Sequence, residues 1–261
     1  MGITAEGPVR WPRFLMKQVI AMHGWSSDST AWAPWERHFS HRGWLWQSGE
    51  RGYGNRRSCN PNWAEPASGG TNPCKARQRR VVIAHSLGPH LLEPSVLNQA
   101  TDVVLLASFG RFVPQGPEGR ALRTGLRGMQ NAIGSPGEAK MLRTFLKRAA
   151  QPADLCGLPP GPEQHGLSQR GRDCLKDDLE RLIKTSGLPT GMPKTARVLV
   201  VDGMDDAIVA PAASREHLLA LTSHLQEAPV QWQLQDVGHA LLVPDLLVRV
   251  QQWLDHNSRA N

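Results

Sequence analysis

Arg80-Val81-Val82-Ile83-Ala84-His85-Ser86-Leu87-Gly88 is the stretch that decides the fold. Val81 to Ala84 are all apolar and three of the four are β-branched. Such a run reads as a strand buried on both faces, as in a parallel sheet. The chain then turns at a serine between small residues. A strand that passes directly into a helix strains the backbone of its central residue and lifts that side chain into a cleft. Small flanks are needed because the turn brings backbone segments together. The usual pattern is G-x-S-x-G, and here Ala84 replaces the first glycine, a tolerable change because a methyl group is small. A helix is expected to open near Leu87.

Working outward, further strands are expected at Val19–Met22, Trp44–Trp46, Asp102–Leu106, Arg197–Val201 and Val230–Leu234. Amphipathic stretches fall between them. One carries Trp32, Trp35 and Phe39 at helical spacing, with Asp28 or Ser29 to cap it. Others cover 212–224 and 244–256. Residues 49–79, rich in Gly, Pro, Asn and Arg, read as a long irregular connection. Residues 111–195 break the alternation: they are basic, helix-prone and punctuated by Leu158-Pro159-Pro160-Gly161-Pro162. The pattern predicts an α/β fold, a mostly parallel central sheet flanked by helices. Its core domain takes 1–110 and 196–261. The insertion, 111–195, is expected to form a helical cap over the carboxyl ends of the strands, where open α/β sheets place their sites.

The whole chain has 261 residues and a net charge of +7, a length suited to one α/β domain with an insertion. A basic chain suits nucleic acid, an anionic surface or an acidic protein. No nucleic-acid-reading motif is present, and aromatic residues do not interleave with the basic runs. Cys59, Cys74, Cys156 and Cys174 contain no C-x-x-C pair and no histidine at zinc-ligand spacing, so no metal site is expected. Neither an apolar signal segment near Met1–Glu6 nor a membrane-spanning run is evident, which predicts a cytoplasmic protein without a membrane partner.

A serine hydroxyl is a weak nucleophile until a base takes its proton. Among ten histidines, His239, in Asp236-Val237-Gly238-His239-Ala240, follows the last strand, where the chain order Ser, Asp, His would put a base. His85 flanks Ser86, but its side chain is expected to point away from the hydroxyl. The acid should follow the penultimate strand. Of Asp202, Asp205 and Asp206, the last fits a G-x-x-D-x-x-V spacing with Gly203 and Val209; Asp205 is the alternative. Two backbone N–H donors are needed for an oxyanion. Leu87, directly after Ser86, and Trp25, in His23-Gly24-Trp25 after the first strand, are the candidates, and the Trp25 indole is a candidate pocket wall.

The motifs H-G-W, A-H-S-L-G, G-M-D-D-A-I-V and G-H-A occur in an order that resembles the α/β-hydrolase superfamily over nearly the whole chain. Within it, the chain is similar to the pimeloyl-[acyl-carrier protein] methyl ester esterases of biotin biosynthesis. That resemblance implies a carboxylesterase without cofactor. Ser86, His239 and Asp206 would be catalytic, Trp25 and Leu87 would form the oxyanion hole, and the substrate would be a methyl ester on an acyl-carrier protein. Residues 111–150 hold eight Lys or Arg against two Glu. Arg120, Arg123 and Arg127 share one helical spacing, and Lys140, Arg143 and Lys147 repeat it. Each set would form a basic face, suited to an acidic carrier or simply to solvent. The same triad would equally serve a general esterase, a thioesterase or a carbon–carbon hydrolase on a free small molecule. A non-catalytic receptor on the same fold is a further alternative, which an intact Ser-His-Asp set disfavours.

Overall fold

The computed structural model describes residues 16–65 and 78–256. The segment Met1–Glu6 and Cys74, on which two of the expectations above rest, lies outside these. Six strands, β1 (Met16–Met22), β2 (Leu45–Ser48), β3 (Gln78–His85), β4 (Asp102–Leu106), β5 (Arg197–Gly203) and β6 (Val230–Leu234), form one sheet. Their order is β2-β1-β3-β4-β5-β6, and every neighbouring pair is parallel. The order reverses between β1 and β3, which opens a crevice at their carboxyl ends. Ser86 follows β3 there, and His23 follows β1.

Strand alternation divides the core. Ile20, Met22, Val82, Ala84, Val103, Leu105, Val198 and Val200 point to one face. Val19, Ala21, Val81, Ile83, Val104, Leu106, Leu199 and Val201 point to the other. Both sets are buried, which is why the strands read as unbroken apolar runs. The second face is covered by α1 (Ala33–Ser40) through Phe39 and by α8 (Leu246–His256) through Val250 and Leu254. The first is covered by α2 (Pro94–Leu97), by α7 (Pro211–His224), and by helices from the segment between β4 and β5.

That segment carries α3 (Arg120–Ala132), α4 (Glu138–Ala150), α5 (Pro162–His165) and α6 (Gln169–Lys184). The Arg172 guanidinium of α6 grips both oxygens of Glu138 on α4 at 2.8 Å, and Gln130 of α3 donates to the Lys176 carbonyl of α6. No helix among the described residues is long and apolar enough to cross a membrane.

One local expectation needs correction. No helix opens at Leu87: a single 3-10 turn spans Gly88–His90, and α2 begins only at Pro94. Pro94 holds Glu93 extended, at φ −62° and ψ 135°, and an extended residue ends any helix running through it. The described part of the connection after β2, residues 49–65, carries no helix or strand, as expected, yet it is tied to the rest of the fold. Glu50 pairs with Cys59 in an antiparallel bridge, and Tyr53 and Trp63 are buried. The Tyr53 hydroxyl donates to Asp178 of α6 at 2.7 Å, and the Arg51 guanidinium holds the same carboxylate at 2.8 and 2.7 Å. Long-range pairing, invisible in local composition, fixes this part of the segment; residues 66–77 lie outside the described residues.

Candidate active site

Ser86 sits at the end of β3 with φ at +56°, a left-handed conformation that a non-glycine residue adopts only where its surroundings impose it. Its N–H donates to Leu106 of β4 at 2.8 Å, and its carbonyl accepts from the Ser108 hydroxyl at 2.8 Å. The turn leaves no room at its flanks. A Cβ on Gly88 would lie 2.4 Å from the Met22 carbonyl oxygen, and one on Gly24 would lie 2.9 Å from the Ser86 Cβ. Ala84, where the usual pattern has glycine, is fully buried.

His239 Nε2 lies 3.0 Å from Ser86 Oγ, and His239 Nδ1 lies 2.8 Å from Asp206 Oδ2. A carboxylate only accepts, so Nδ1 carries the proton and Nε2 is free to accept from the serine. The other oxygen of Asp206 accepts the N–H groups of Ile208 and Val209 at 2.7 and 2.9 Å. Burial acts to raise the Asp206 carboxyl, but the hydrogen bond and charge of His239 and these two amides outweigh it and hold it below the usual range. Asp205 is exposed on the same turn, its N–H donating to Val237. Asp202 is buried, bonded to Gln231, and raised chiefly by that burial.

The two candidate oxyanion donors stand close by. Leu87 is next to Ser86 in the chain, and Trp25 is next to Gly24, whose position abuts the Ser86 Cβ. Neither amide has a hydrogen-bond partner among the described residues. The Trp25 indole donates to the Leu175 carbonyl of α6 at 2.9 Å and meets the Phe145 ring of α4 edge-on. A cleft of about 730 Å³ lies over Ser86 and His239, walled by apolar side chains including Trp25, Phe145, Leu146 and Leu241. Among the described residues no group of three His, Cys, Asp or Glu is arranged to hold a metal ion.

Three solved structures share this architecture. An esterase from Exiguobacterium antarcticum aligns over 94% of this chain and 91% of its own, with a TM-score of 0.63 and 12% identity. A thermophilic esterase from Thermogutta terrifontis aligns over 93% and 90%, with 0.60 and 15%. A hydrolase from Oleispira antarctica aligns over 94% and 92%, with 0.60 and 11%. The fold is that of an α/β hydrolase. No family model and no curated sequence matches the chain.

In this hydrolase fold, Ser86, Asp206 and His239 come together from the ends of β3, β5 and β6, and Trp25 and Leu87 lie alongside. The six basic residues singled out in the sequence are not brought together there. Arg120, Arg127, Lys140 and Lys147 are exposed and away from the cleft, and Arg143 alone of the six lines it. Arg123 is half-buried and committed to the Pro114 and Gly116 carbonyls. Sequence reading placed the His85 side chain only as pointing away from the Ser86 hydroxyl and did not foresee that its Nε2 donates to the His239 carbonyl; it missed Glu50 altogether. Burial raises the Glu50 carboxyl, yet the His23 imidazole at 3.7 Å and the amides of Ser29 and Gly52 bring it down to about 2. No periodicity or motif marks Glu50.

Proposed function

We propose that this protein is a serine carboxylesterase. The observation that carries the reading is the unbroken line from Ser86 Oγ through His239 to Asp206, at 3.0 and 2.8 Å, with Ser86 held at positive φ beside an apolar cleft. Ser86 Oγ attacks the ester carbonyl as its proton passes to His239 Nε2. The amides of Trp25 and Leu87 receive the oxyanion, and the imidazolium returns the proton to the departing alkoxide. His239 then deprotonates a water, which cleaves the acyl-enzyme and restores Ser86. Asp206 holds the imidazole tautomer throughout. The esterase names of the structures with this fold are consistent with such chemistry.

The substrate we propose is the methyl ester of a pimeloyl chain on an acyl-carrier protein, with methanol as the leaving group. The resemblance of the sequence motifs supports it, as do the apolar cleft, the Arg143 guanidinium at its wall and the exposed cations of α3 and α4. The inserted segment, 111–195, would then be the cap on which the carrier rests. A second reading, an esterase for a free small molecule, is favoured by one observation: five of the six basic residues do not line the cleft.

Mass spectrometry of the carrier-bound methyl ester after incubation with enzyme tests both levels. Conversion to the free acid by the parent, and its loss in Ser86→Ala, is the expected result. A Ser86→Ala variant within about tenfold of the parent refutes the serine mechanism. Hydrolysis of free short esters with the carrier-bound ester untouched refutes the carrier substrate alone.

A further inference from the structure

Three chain segments converge on the flanks of Asp206 and His239. Two are the turns that carry them, joined where Asp205 N–H donates to Val237 O at 2.9 Å. The third is the last turn of α4 and the residue that follows it, Gln151, remote from both in sequence. There the Arg148 guanidinium donates to the Ala207 carbonyl at 2.8 Å. The Ala149 carbonyl accepts the Ala240 N–H at 3.0 Å. The Gln151 carbonyl presses so near Gly238 that a Cβ on that glycine would lie 1.6 Å from its oxygen. Ala207 directly follows Asp206, and Gly238 and Ala240 bracket His239. The inserted segment thus holds acid and base by their immediate neighbours.

We propose that Arg148 is a positioning residue for the Ser86–His239–Asp206 array, acting through the Asp206 turn; this rests on reading that array as the working triad. Asp206 is bound by the amides of its own turn, Ile208 and Val209, so its carboxylate moves with the turn. A turn released at Ala207 carries Oδ2 away from His239 Nδ1. The Ala149 and Gln151 contacts use main-chain carbonyls that any residue supplies, whereas the Arg148 contact depends on a side chain. Arg148 does not line the cleft, although Phe145 and Leu146 of the same helix do. Its role is therefore separable from substrate binding.

The test compares Arg148→Met, which keeps the aliphatic stem and loses the donor, with Arg148→Lys, which keeps a cationic donor. Steady-state hydrolysis of a short-chain ester and the proton NMR signal of the hydrogen between His239 and Asp206 are the readouts. A short hydrogen bond to a carboxylate moves that signal far downfield. Arg148→Met is expected to lower kcat about 5- to 20-fold, the effect of losing a charge-assisted hydrogen bond one step removed from the acid. KM should stay within twofold, the downfield signal should weaken, and Arg148→Lys should recover most of the rate. The proposal is overturned if kcat of the Met variant stays within twofold of the parent, if KM rises in step with the fall in kcat, or if the signal is unchanged. Should Arg148→Met not fold, Arg148→Leu, which also lacks a donor, replaces it under the same criteria. Ser86→Ala, run alongside, separates the two claims: an inactive Ser86→Ala with an unaffected Arg148→Met overturns the positioning role and leaves the triad standing.

Discussion

The His85 imidazole donates from Nε2 to the main-chain carbonyl of His239 across 2.9 Å. The residue next to the nucleophile therefore ties down the loop of the base. Burial, with the neighbouring His239 ring, lowers the His85 pKa to about 4, so the ring is neutral near pH 7. Burial also lowers His217 on α7 to about 4, with His90 adding to the effect. Both lie below the ordinary histidine value of 6.5, so the unfolded chain binds more protons between pH 6.5 and 4. Their contribution to stability is complete above pH 6.5 and is lost as pH falls toward 4, at up to about 2–3 kcal/mol per pH unit for the pair. Urea unfolding at pH 7.5, 6.0 and 5.0 measures this, and His217→Leu should remove about half of the slope. A stability flat from pH 7.5 to 5.0 would sink the assignment.

Asp206 and Asp205 differ in what they reach. Asp206 bonds His239 and its own turn, whereas Asp205 is exposed. Asp206→Asn is expected to lower turnover by about 10⁴-fold, because an amide favours the wrong imidazole tautomer. Asp205→Asn should stay within about tenfold of the parent. The reverse ranking would give the acid role to Asp205.

The parts of this fold legible in sequence are those fixed locally. Val81–Ala84 reads as a strand buried on both faces because both faces are covered. The spacing of Gly203, Asp206 and Val209 is that of a turn in which the aspartate accepts the amides two and three residues on. What the sequence hid is long-range. Arg51, Tyr53 and Asp178 are more than a hundred residues apart across their contacts, and Arg148 meets Ala207 over 59 positions. No period or motif encodes such meetings. The helix expected after Ser86 failed for a local reason that was readable: Pro94 holds the residue before it extended.

Asp178 offers a test of how the inserted helices are held to the core. Its side chain is fully buried, gripped twice by Arg51 and once by Tyr53. Burial and this carboxylate push the Tyr53 hydroxyl well up and the Cys174 thiol to about 11. Asp178→Ala strands a half-buried guanidinium and a fully buried phenol. Breaking a buried pair in this way costs about 3–5 kcal/mol, read as a fall in the urea midpoint with little change in m. A loss under about 1 kcal/mol would mean that water satisfies the stranded groups.

The carrier surface can be tested without touching the site. Arg143 lines the cleft, so reversing it would alter a free ester as well. Lys140 and Lys147 share its helical spacing on α4, are exposed, and do not line the cleft. If an acidic carrier rests on this face, Lys140→Glu with Lys147→Glu should lower kcat/KM on the carrier-bound ester by about 5- to 30-fold, the range expected for two exposed pairs turned repulsive. The deficit should shrink near 1 M salt, where the screening length falls to about 3 Å. Hydrolysis of a free short ester should change less than twofold, because that substrate needs the cleft and not the outer face of the helix. The free ester thus reports any damage to Arg148 and the triad loops at the end of the same helix. Equal losses on both substrates would assign Lys140 and Lys147 to holding α4 in place, and no loss on either would move the carrier off this face.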